Sequence, residues 1–191
     1  IAQEPTVAKH LHIPAQSGST KMLEMMNRRY TRERYLQLIG DLRSACAHIT
    51  FTTDVMVGFP GEEEQDFQAT LSLMKEVQFL EAFMYYFNPR EGTKAVDLPD
   101  QIPPEVRMER LQQLMDLQRS ITHARKRERC NGTTTVLVEQ ISKKNREQYL
   151  GRNEHDEMVV FHPKKTVSLG DFVDVALRDL VGNTFLAEHL V

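Results

Sequence analysis

Three polar, glycine-containing segments each follow an apolar stretch of the chain, at residues 12–19, 53–62 and 86–93. Glycine lets the backbone approach a ligand closely. Gln16 and Ser17 offer neutral donors and acceptors for hydroxyl or carboxylate groups, and Asp54 can accept from an amine or a ribose hydroxyl. These groups suit a nucleoside-like ligand. Spacing alone leaves open the alternative that residues 58–61 form an ordinary turn and Asp54 is a hydrogen-bonded buried carboxylate.

The elements that must position these segments alternate between strands and helices. Apolar alternation and β-branched residues predict strands at 8–13, 49–57 and 82–87, and helical spacing predicts helices between them. This order indicates an α/β fold with βαβ units on a parallel sheet, where ligands bind beyond the carboxyl ends of the strands. We therefore expect the loops that follow Ile13, Val57 and Phe87 to converge on one pocket.

A change of pattern after the long helix indicates a second domain. Residues 96–104 contain three prolines and predict a linker, and residues 104–129 predict a helix with one apolar face. Beyond Gly132, five short strand-like runs separated by glycines are typical of a small all-β, OB-like barrel. We therefore divide the chain into an α/β domain at 1–130, which includes the linker and the long helix, and a barrel at 132–191.

Length and composition exclude several classes of protein. The chain has 191 residues, of which 40% are hydrophobic and 27% charged, which suits a globular protein rather than a disordered tail. No apolar run reaches the roughly 20 residues of a membrane-spanning helix, and no basic-then-apolar signal opens the chain. We therefore expect a cytoplasmic protein. The chain opens at Ile1 rather than at methionine, which favours a fragment or a processed chain.

Few residues could hold a metal ion. Cys46 and Cys130 are the two cysteines, too few for a disulfide framework and without the spacing of a zinc or iron-sulfur site. His10 and His12 face the same side of one predicted strand, but no third ligand accompanies them. We expect no metal site in this chain and assign the two histidines to a polar lining of the barrel interior.

Basic residues are concentrated in one part of a chain whose net charge is −3. Residues 101–130 carry seven basic and four acidic side chains, whereas residues 132–191 carry seven basic and nine acidic ones. RNA binding would therefore depend on shape and a few contacts. The residues predicted to contact RNA are Arg125, Lys126, Arg127, Arg129, Lys143, Lys144, Arg146 and Arg152. The alternative is a solvated helix end and loop.

Longer strings of the amino-acid sequence say more about the function of the chain than residue spacing does. They are HLHIPAQSGS at 10–19, MNRRYT at 26–31, TDVMVGFPGE at 53–62 and PREGT at 89–93. In this order they resemble the second half of the radical S-adenosylmethionine domain of the methylthiotransferases. The roughly sixty C-terminal residues, with GRNE at 151–154, resemble the TRAM module of these enzymes, a small RNA-binding barrel. Arg29 departs from the family, in which glycine is common before the tyrosine.

The resemblance implies the second half of a partial parallel (βα) barrel followed by a TRAM barrel. It also implies S-adenosylmethionine as a cofactor and two 4Fe-4S clusters in the full-length enzyme. This chain lacks the C-x-x-x-C-x-x-C motif that binds the radical-generating cluster and the three cysteines that bind the second one. We therefore expect the chain alone to be inactive, and we assign it no catalytic residue.

The resemblance also implies roles for the strand-end residues. Gln16 and Ser17 are expected at the polar end or the ribose of S-adenosylmethionine. The wall around its adenosine is expected to contain Asp54, Gly58 and Gly61. At the last strand, Phe87 would stack on a base and Arg90 would pair with a carboxylate or phosphate. The alternative for these two is an ordinary strand end and a surface charge.

Residues 85–95 resemble most the branch that modifies tRNA. That branch adds a methylthio group to C2 of isopentenyl-adenosine beside the anticodon, which implies the anticodon stem-loop of tRNA as the partner. One alternative is the branch that modifies an aspartate of a ribosomal protein. Another is a noncatalytic RNA-binding module, in which the barrel and the basic helix act alone.

Overall fold

The computed structural model describes residues 2–4, 7–143 and 145–191, so the predicted RNA contact Lys144 lies outside the described residues. The chain forms two compact units. The α/β unit comprises Leu11–Ala47 and Phe51–Thr122, and the barrel unit comprises Ile1–His10, His48–Thr50 and His123–Val191. In this division residues 123–130 and short N-terminal segments group with the barrel, and the domain boundary at residue 130 stays a prediction. Within the described residues, no helix is long and apolar enough to cross a membrane.

The first part of the chain combines a three-stranded sheet with helices. Its elements are β1 (His10–His12), α1 (Thr20–Met25), α2 (Arg32–Ala45), β2 (Thr50–Val57), α3 (Glu64–Val77), β3 (Glu81–Tyr86), a 3-10 turn (Lys94–Asp97) and α4 (Pro104–Arg127). The strand order is β1-β2-β3, and β2 runs parallel to β3 with Asp54 opposite Phe83 and Met56 opposite Tyr85. The predicted α/β class with a parallel sheet is confirmed.

Capping side chains specify where the helices of this unit begin. The side chains of Ser19 and Thr31 cap α1 and α2, and Glu63 and Asp66 form a reciprocal capping box at α3. Asp66 is buried and also accepts the Ser19 hydroxyl at 2.6 Å. Burial raises the pKa of Asp66, but the hydrogen bonds from Ser19, the Glu63 N–H and Lys21 outweigh it and hold the pKa below its ordinary value.

The sheet has one covered face and one open face. On β2 the side chains of Phe51, Val55 and Val57 are buried on one side. On the other side of the sheet, Phe83 and Tyr85 of β3 are 54% and 53% exposed. We call this second surface the open face; it is formed by His12, Asp54, Met56, Phe83 and Tyr85.

Helix α4 buries a face that is partly polar. Its buried residues are Arg110, Leu114, Gln118, Ile121, Thr122 and Lys126. Gln118 donates to the Phe79 carbonyl and Thr122 to the Leu80 carbonyl, each at 2.8 Å. These two bonds satisfy backbone oxygens in the turn before β3, which would otherwise be left unpaired in the interior.

The barrel unit contains a closed barrel with the strand order β4-β5-β6-β8-β7. The strands are β4 (Thr133–Ile141), β5 (Tyr149–Asn153), β6 (Met158–His162), β7 (Phe172–Val181) and β8 (Thr184–His189). Its core is apolar and includes Val136, Val138, Val159, Phe161, Val173, Val175 and Phe185. A Cβ at Gly151 would lie 2.1 Å from the Leu137 carbonyl oxygen, so glycine is needed where β4 and β5 meet. The predicted five-stranded barrel is confirmed.

A buried polar network closes the connection between β5 and β6. The side-chain oxygen of Asn153 accepts the backbone N–H groups of His155 and Glu157, each at 3.0 Å. The Glu157 carboxylate accepts from the Asn153 amide and from Arg129, each at 2.8 Å. Burial, followed by the charge of Arg129, lowers the pKa of His155 to about 4. His155 is therefore neutral in the folded barrel at neutral pH.

A substitution at Gly18 can test the packing of the α/β unit. A Cβ there would lie 2.4 Å from the Ala69 carbonyl oxygen, so the backbone would have to shift. We expect Gly18→Ala to lower the free energy of unfolding by about 2 kcal/mol or more. The matched control is Gly40→Ala in α2, where nothing lies within 4 Å, and which should stabilise the chain by up to about 1 kcal/mol. Urea unfolding measures both, and a Gly18→Ala variant as stable as the parent would contradict the packing described.

His155 should make folding pH-dependent. Its folded pKa of about 4 lies below the ordinary histidine value of 6.5, so the unfolded chain binds the proton more readily. The stability contributed by neutral His155 is therefore complete above pH 6.5 and is lost as the pH falls toward 4. We expect His155→Gln to flatten the loss of unfolding free energy over this pH range, whereas His123→Gln, at an exposed position, should leave it unchanged. Identical pH profiles for the parent and His155→Gln would overturn this assignment.

Candidate functional site

The carboxyl ends of the three strands lie side by side. Gln16 donates its N–H to the Asp54 carbonyl and accepts the Met56 N–H, each at 2.8 Å, so the loop after β1 is bonded to β2. Phe87 donates its N–H to the Val57 carbonyl at 2.8 Å, which bonds the end of β3 to the other side of β2. The three predicted loops therefore begin along one edge of the sheet, as expected for parallel strands.

The open face brings a carboxylate and aromatic rings together beside this edge. His12 Nε2 lies 3.3 Å from Asp54 Oδ2, and the rings of His12 and Phe83 contact edge to face with centroids 5.8 Å apart. The exposed rings of Phe83 and Tyr85 add apolar surface along β3. A half-exposed carboxylate can accept from an amine or hydroxyl, and exposed rings can contact a flat base.

A groove of about 590 Å³ continues from the open face around β3. Its lining includes Met56, Tyr85, Asn88 and Arg90. Methionine and tyrosine provide an apolar surface, and Asn88 and Arg90 provide hydrogen-bond donors at its end. Of the predicted residues, Arg90 is thus placed at a concave surface with its side chain exposed.

Comparison with known proteins shows which proteins this chain is similar to. Residues 3–74 match the family model of the radical SAM superfamily. Similar proteins from Treponema pallidum (strain Nichols), Treponema denticola and Bacteroides thetaiotaomicron are each named tRNA-2-methylthio-N(6)-dimethylallyladenosine synthase. They are 46%, 44% and 41% identical over 100%, 98% and 100% of this chain.

Over essentially its whole length the chain is therefore similar to tRNA-2-methylthio-N(6)-dimethylallyladenosine synthases, and its first part matches the radical SAM superfamily. The resemblance inferred from the sequence strings is thereby confirmed. The chain spans 42% of the length of each of these three relatives.

The residues present fit S-adenosylmethionine at the open face. The cofactor carries an amine, a ribose and an adenine, and the face offers the Asp54 carboxylate beside the exposed rings of Phe83 and Tyr85. The sequence analysis named Asp54 for the cofactor site, which stays a prediction, and it did not name Phe83 or Tyr85. The signal was present in the alternation of β3, since Phe83 and Tyr85 share the side of the sheet that Asp54 occupies.

Phe87 requires a correction. Its ring is buried and packs edge to face against Phe59 at a centroid distance of 5.1 Å. A ring held in this way is not available to stack on a base, so we do not carry that role forward. The exposed rings on β3 are better placed for it, because they lie on the open face.

Ser17 is buried and occupied within the protein. Its hydroxyl lies 3.3 Å from that of Thr70 and accepts the Ser19 N–H at 3.1 Å. This arrangement supports the loop that leads into α1. A direct contact between the Ser17 hydroxyl and a cofactor stays a prediction, while Gln16 is half-buried and lies at the strand edge itself.

Gly58 and Gly61 have structural reasons to be glycine. Their φ angles are +70° and +76°, which disfavour other residues. The Gly58 N–H donates to Glu62 Oε2 at 2.6 Å and the Gly61 N–H to the Asp100 carbonyl at 2.9 Å. Both N–H groups are therefore engaged within the protein, and any contribution to a cofactor wall comes from the backbone shape of the loop.

Glu62 connects this loop to α4. Its buried carboxylate accepts from the Gly58 N–H and, at 2.7 Å, from Arg110. Burial raises the pKa of the Glu62 carboxyl, and the Gly58 N–H and the charge of Arg110 oppose this rise. The loop after β2 is thus closed on itself and attached to a helix by one side chain.

Most of the basic residues predicted to contact RNA are already buried or ion-paired within the barrel unit. Lys126 is 1% exposed and donates to the Asn183 carbonyl at 3.0 Å, so its ammonium lies in the interior and its predicted RNA contact is not carried forward. The arginines are exposed or partly exposed but form ion pairs: Arg125 with Glu128, Arg127 with Asp179, Arg129 with Glu157, and Arg152 with Glu139 and Asp156. Lys143 and Arg146 are exposed.

The described residues of this chain do not fit an iron-sulfur cluster. In the described part of the chain, no three His, Cys, Asp or Glu side chains are grouped so as to hold a metal ion. Cys46 is buried at the end of α2, and Cys130 packs against the barrel core. His10 and His12 each hydrogen-bond a threonine hydroxyl through Nδ1, at 2.9 and 3.0 Å, and their assignment to the lining of the barrel interior stays a prediction.

Proposed function

We propose that this chain acts within a longer enzyme that adds a methylthio group to C2 of isopentenyl-adenosine beside the anticodon of tRNA. The supporting observation is that relatives 41% to 46% identical over essentially the whole chain bear the name of a tRNA methylthio-dimethylallyladenosine synthase. Its α/β unit is then the second half of a partial (βα) barrel, and its barrel is a TRAM module.

S-adenosylmethionine, when bound, supplies radical chemistry and a methyl group. The residues of this chain bind and orient it. Asp54 accepts hydrogen bonds from the amine or the ribose hydroxyls, and His12 at 3.3 Å restrains the carboxylate. Phe83 and Tyr85 provide a flat apolar surface that excludes water from one side of a base. The family also implies two 4Fe-4S clusters, whose ligands lie elsewhere in the longer enzyme.

The barrel is proposed to bind the anticodon stem-loop. Support comes from exposed basic side chains on a small closed barrel, namely Lys143, Arg146 and Arg152, with Arg125 and Arg127 at the end of α4. Most of the arginines are paired with carboxylates, so phosphate groups must compete for them. Binding then depends on shape and on a few exchanged ion pairs.

The gene that encodes this chain should be required for the modified nucleoside. We expect tRNA from a deletion strain to lose 2-methylthio-isopentenyl-adenosine and to accumulate isopentenyl-adenosine, as measured by mass spectrometry of digested tRNA. Reintroducing the full gene should restore the methylthio nucleoside. Unchanged tRNA together with loss of a methylthio group from a ribosomal protein would instead establish the alternative branch.

Asp54 should contribute to cofactor binding. In the full-length, cluster-loaded enzyme we expect Asp54→Ala to weaken S-adenosylmethionine binding roughly tenfold, because a charge-assisted hydrogen bond is lost. Equilibrium dialysis measures the affinity, and circular dichroism checks that the variant is folded. The control is Asp41→Ala, since Asp41 is exposed and bonds only the side chain of Gln37 in the described hydrogen bonds. Equal affinities for the parent and Asp54→Ala would remove Asp54 from the site.

A further inference from the structure

Helix α4 presents two arginines, one turn apart, to the carboxyl ends of β2 and β3. Arg107 and Arg110 are three positions apart in the sequence, so they lie on the same face of the helix. Arg107 contacts the loop after β2 and the end of β3, and Arg110 contacts Glu62 within that loop. Neither arginine belongs to the strands or loops that sequence reasoning singled out.

The side chain of Arg107 acts as a bridge. Its aliphatic stem occupies the space beside Gly58, where a Cβ would lie only 2.3 Å from the arginine Cγ. Its guanidinium donates to the Phe87 carbonyl at 2.5 Å. One side chain thus contacts the first residue after β2 and the first residue after β3, whose separation sets the width of the sheet edge.

Arg110 secures the same loop from the other end. Its guanidinium donates to Glu62 Oε2 at 2.7 Å and to the Glu62 carbonyl at 3.0 Å, and it lies 5.5 Å from the centre of the Phe67 ring. Because Glu62 also accepts the Gly58 N–H, both ends of the loop at 58–62 are held. Arg107 then determines where this closed loop lies relative to β3.

The energetics of Arg107 favour a positioning role over a purely stabilising one. Its Nε is buried and has no hydrogen-bond partner among the described residues. A buried unsatisfied donor costs free energy, so an apolar side chain of similar length would be at least as stable in the same space. What an apolar side chain could not provide is the hydrogen bond to the Phe87 carbonyl.

We propose that Arg107 is a positioning residue, which sets the spacing between the ends of β2 and β3 and thereby the shape of the cofactor-binding edge. This proposal rests on the proposed function, since it assigns the edge to S-adenosylmethionine. Asp54 and Met56 of the open face belong to β2, and Tyr85 belongs to β3. A change in the spacing of the two strand ends therefore moves these side chains relative to one another.

The test compares three variants in the full-length enzyme. Arg107→Met keeps the stem beside Gly58 but removes the donor, Arg107→Lys keeps a stem and one donor, and Arg119→Met is the matched control on the same helix. The Arg119 side chain is 71% exposed and pairs with Asp116. For each protein, hydrogen exchange of the backbone at 58–62 and 87–90, thermal unfolding, and S-adenosylmethionine affinity are measured, with KM and kcat as a further readout.

We expect Arg107→Met to speed exchange at both segments, to weaken S-adenosylmethionine binding roughly tenfold, and to raise KM more than it lowers kcat. Arg107→Lys should recover part of the affinity, and Arg119→Met should resemble the parent. Unchanged affinity and unchanged exchange at the two segments in Arg107→Met, with or without a lower unfolding temperature, would overturn the proposal. If the parent enzyme itself fails to bind S-adenosylmethionine, the proposed function fails, whereas the exchange data still decide whether Arg107 holds the two strand ends.

Discussion

Hydrogen bonding of the carboxyl end of β2 to both of its neighbours is the constraint on which the site depends. On one side, Gln16 uses its N–H and its carbonyl to pair with β2, although its φ of 64° lies in the left-handed region that non-glycine residues avoid. On the other side, Phe87 continues the pairing beyond β3. Two hydrogen bonds hold the strained residue in place. Because of this pairing, the side chains at the strand ends lie along one edge of the sheet, whatever conformation each residue would otherwise prefer.

The second requirement is that the polar backbone of the loop after β2 keeps one shape, in addition to the apolar contact that Phe59 makes with Phe87. A buried pair of charges, Glu62 and Arg110, meets this requirement. Removing two charges from water costs about as much as their attraction returns, so such a pair adds little net stability. Its value lies in geometry, because the carboxylate can satisfy the Gly58 N–H only in one arrangement of the loop. Apolar residues in these places could fill the space, but they could not bond the backbone.

The sequence predicted the classes of the elements, and where several candidate residues lie on them, for a clear physical reason. Strand alternation and helix caps are local, so β2, α3 and the position of Asp54 followed from the residue pattern. The position of Phe87 did not, because its burial depends on Phe59, a contact between two loops. The burial of Lys126 was not predicted, for a related reason. It lies four residues after buried Thr122, a spacing that continues the buried stripe of α4, yet its charge suggested a solvent-exposed position.

The ion pairs of the barrel unit bear on the proposed binding of RNA there. When an isolated exposed arginine binds a phosphate, counterions condensed on the nucleic acid are released, and this release favours binding. An arginine that already pairs with a carboxylate, as Arg127 does with Asp179 at 2.9 Å, must exchange one anion for another. This exchange contributes less binding free energy, and it leaves a carboxylate close to the phosphate backbone. In the proposed RNA binding, a barrel built in this way would discriminate against RNA that offers only charge, and it would favour a partner whose shape places few phosphates close to the carboxylates.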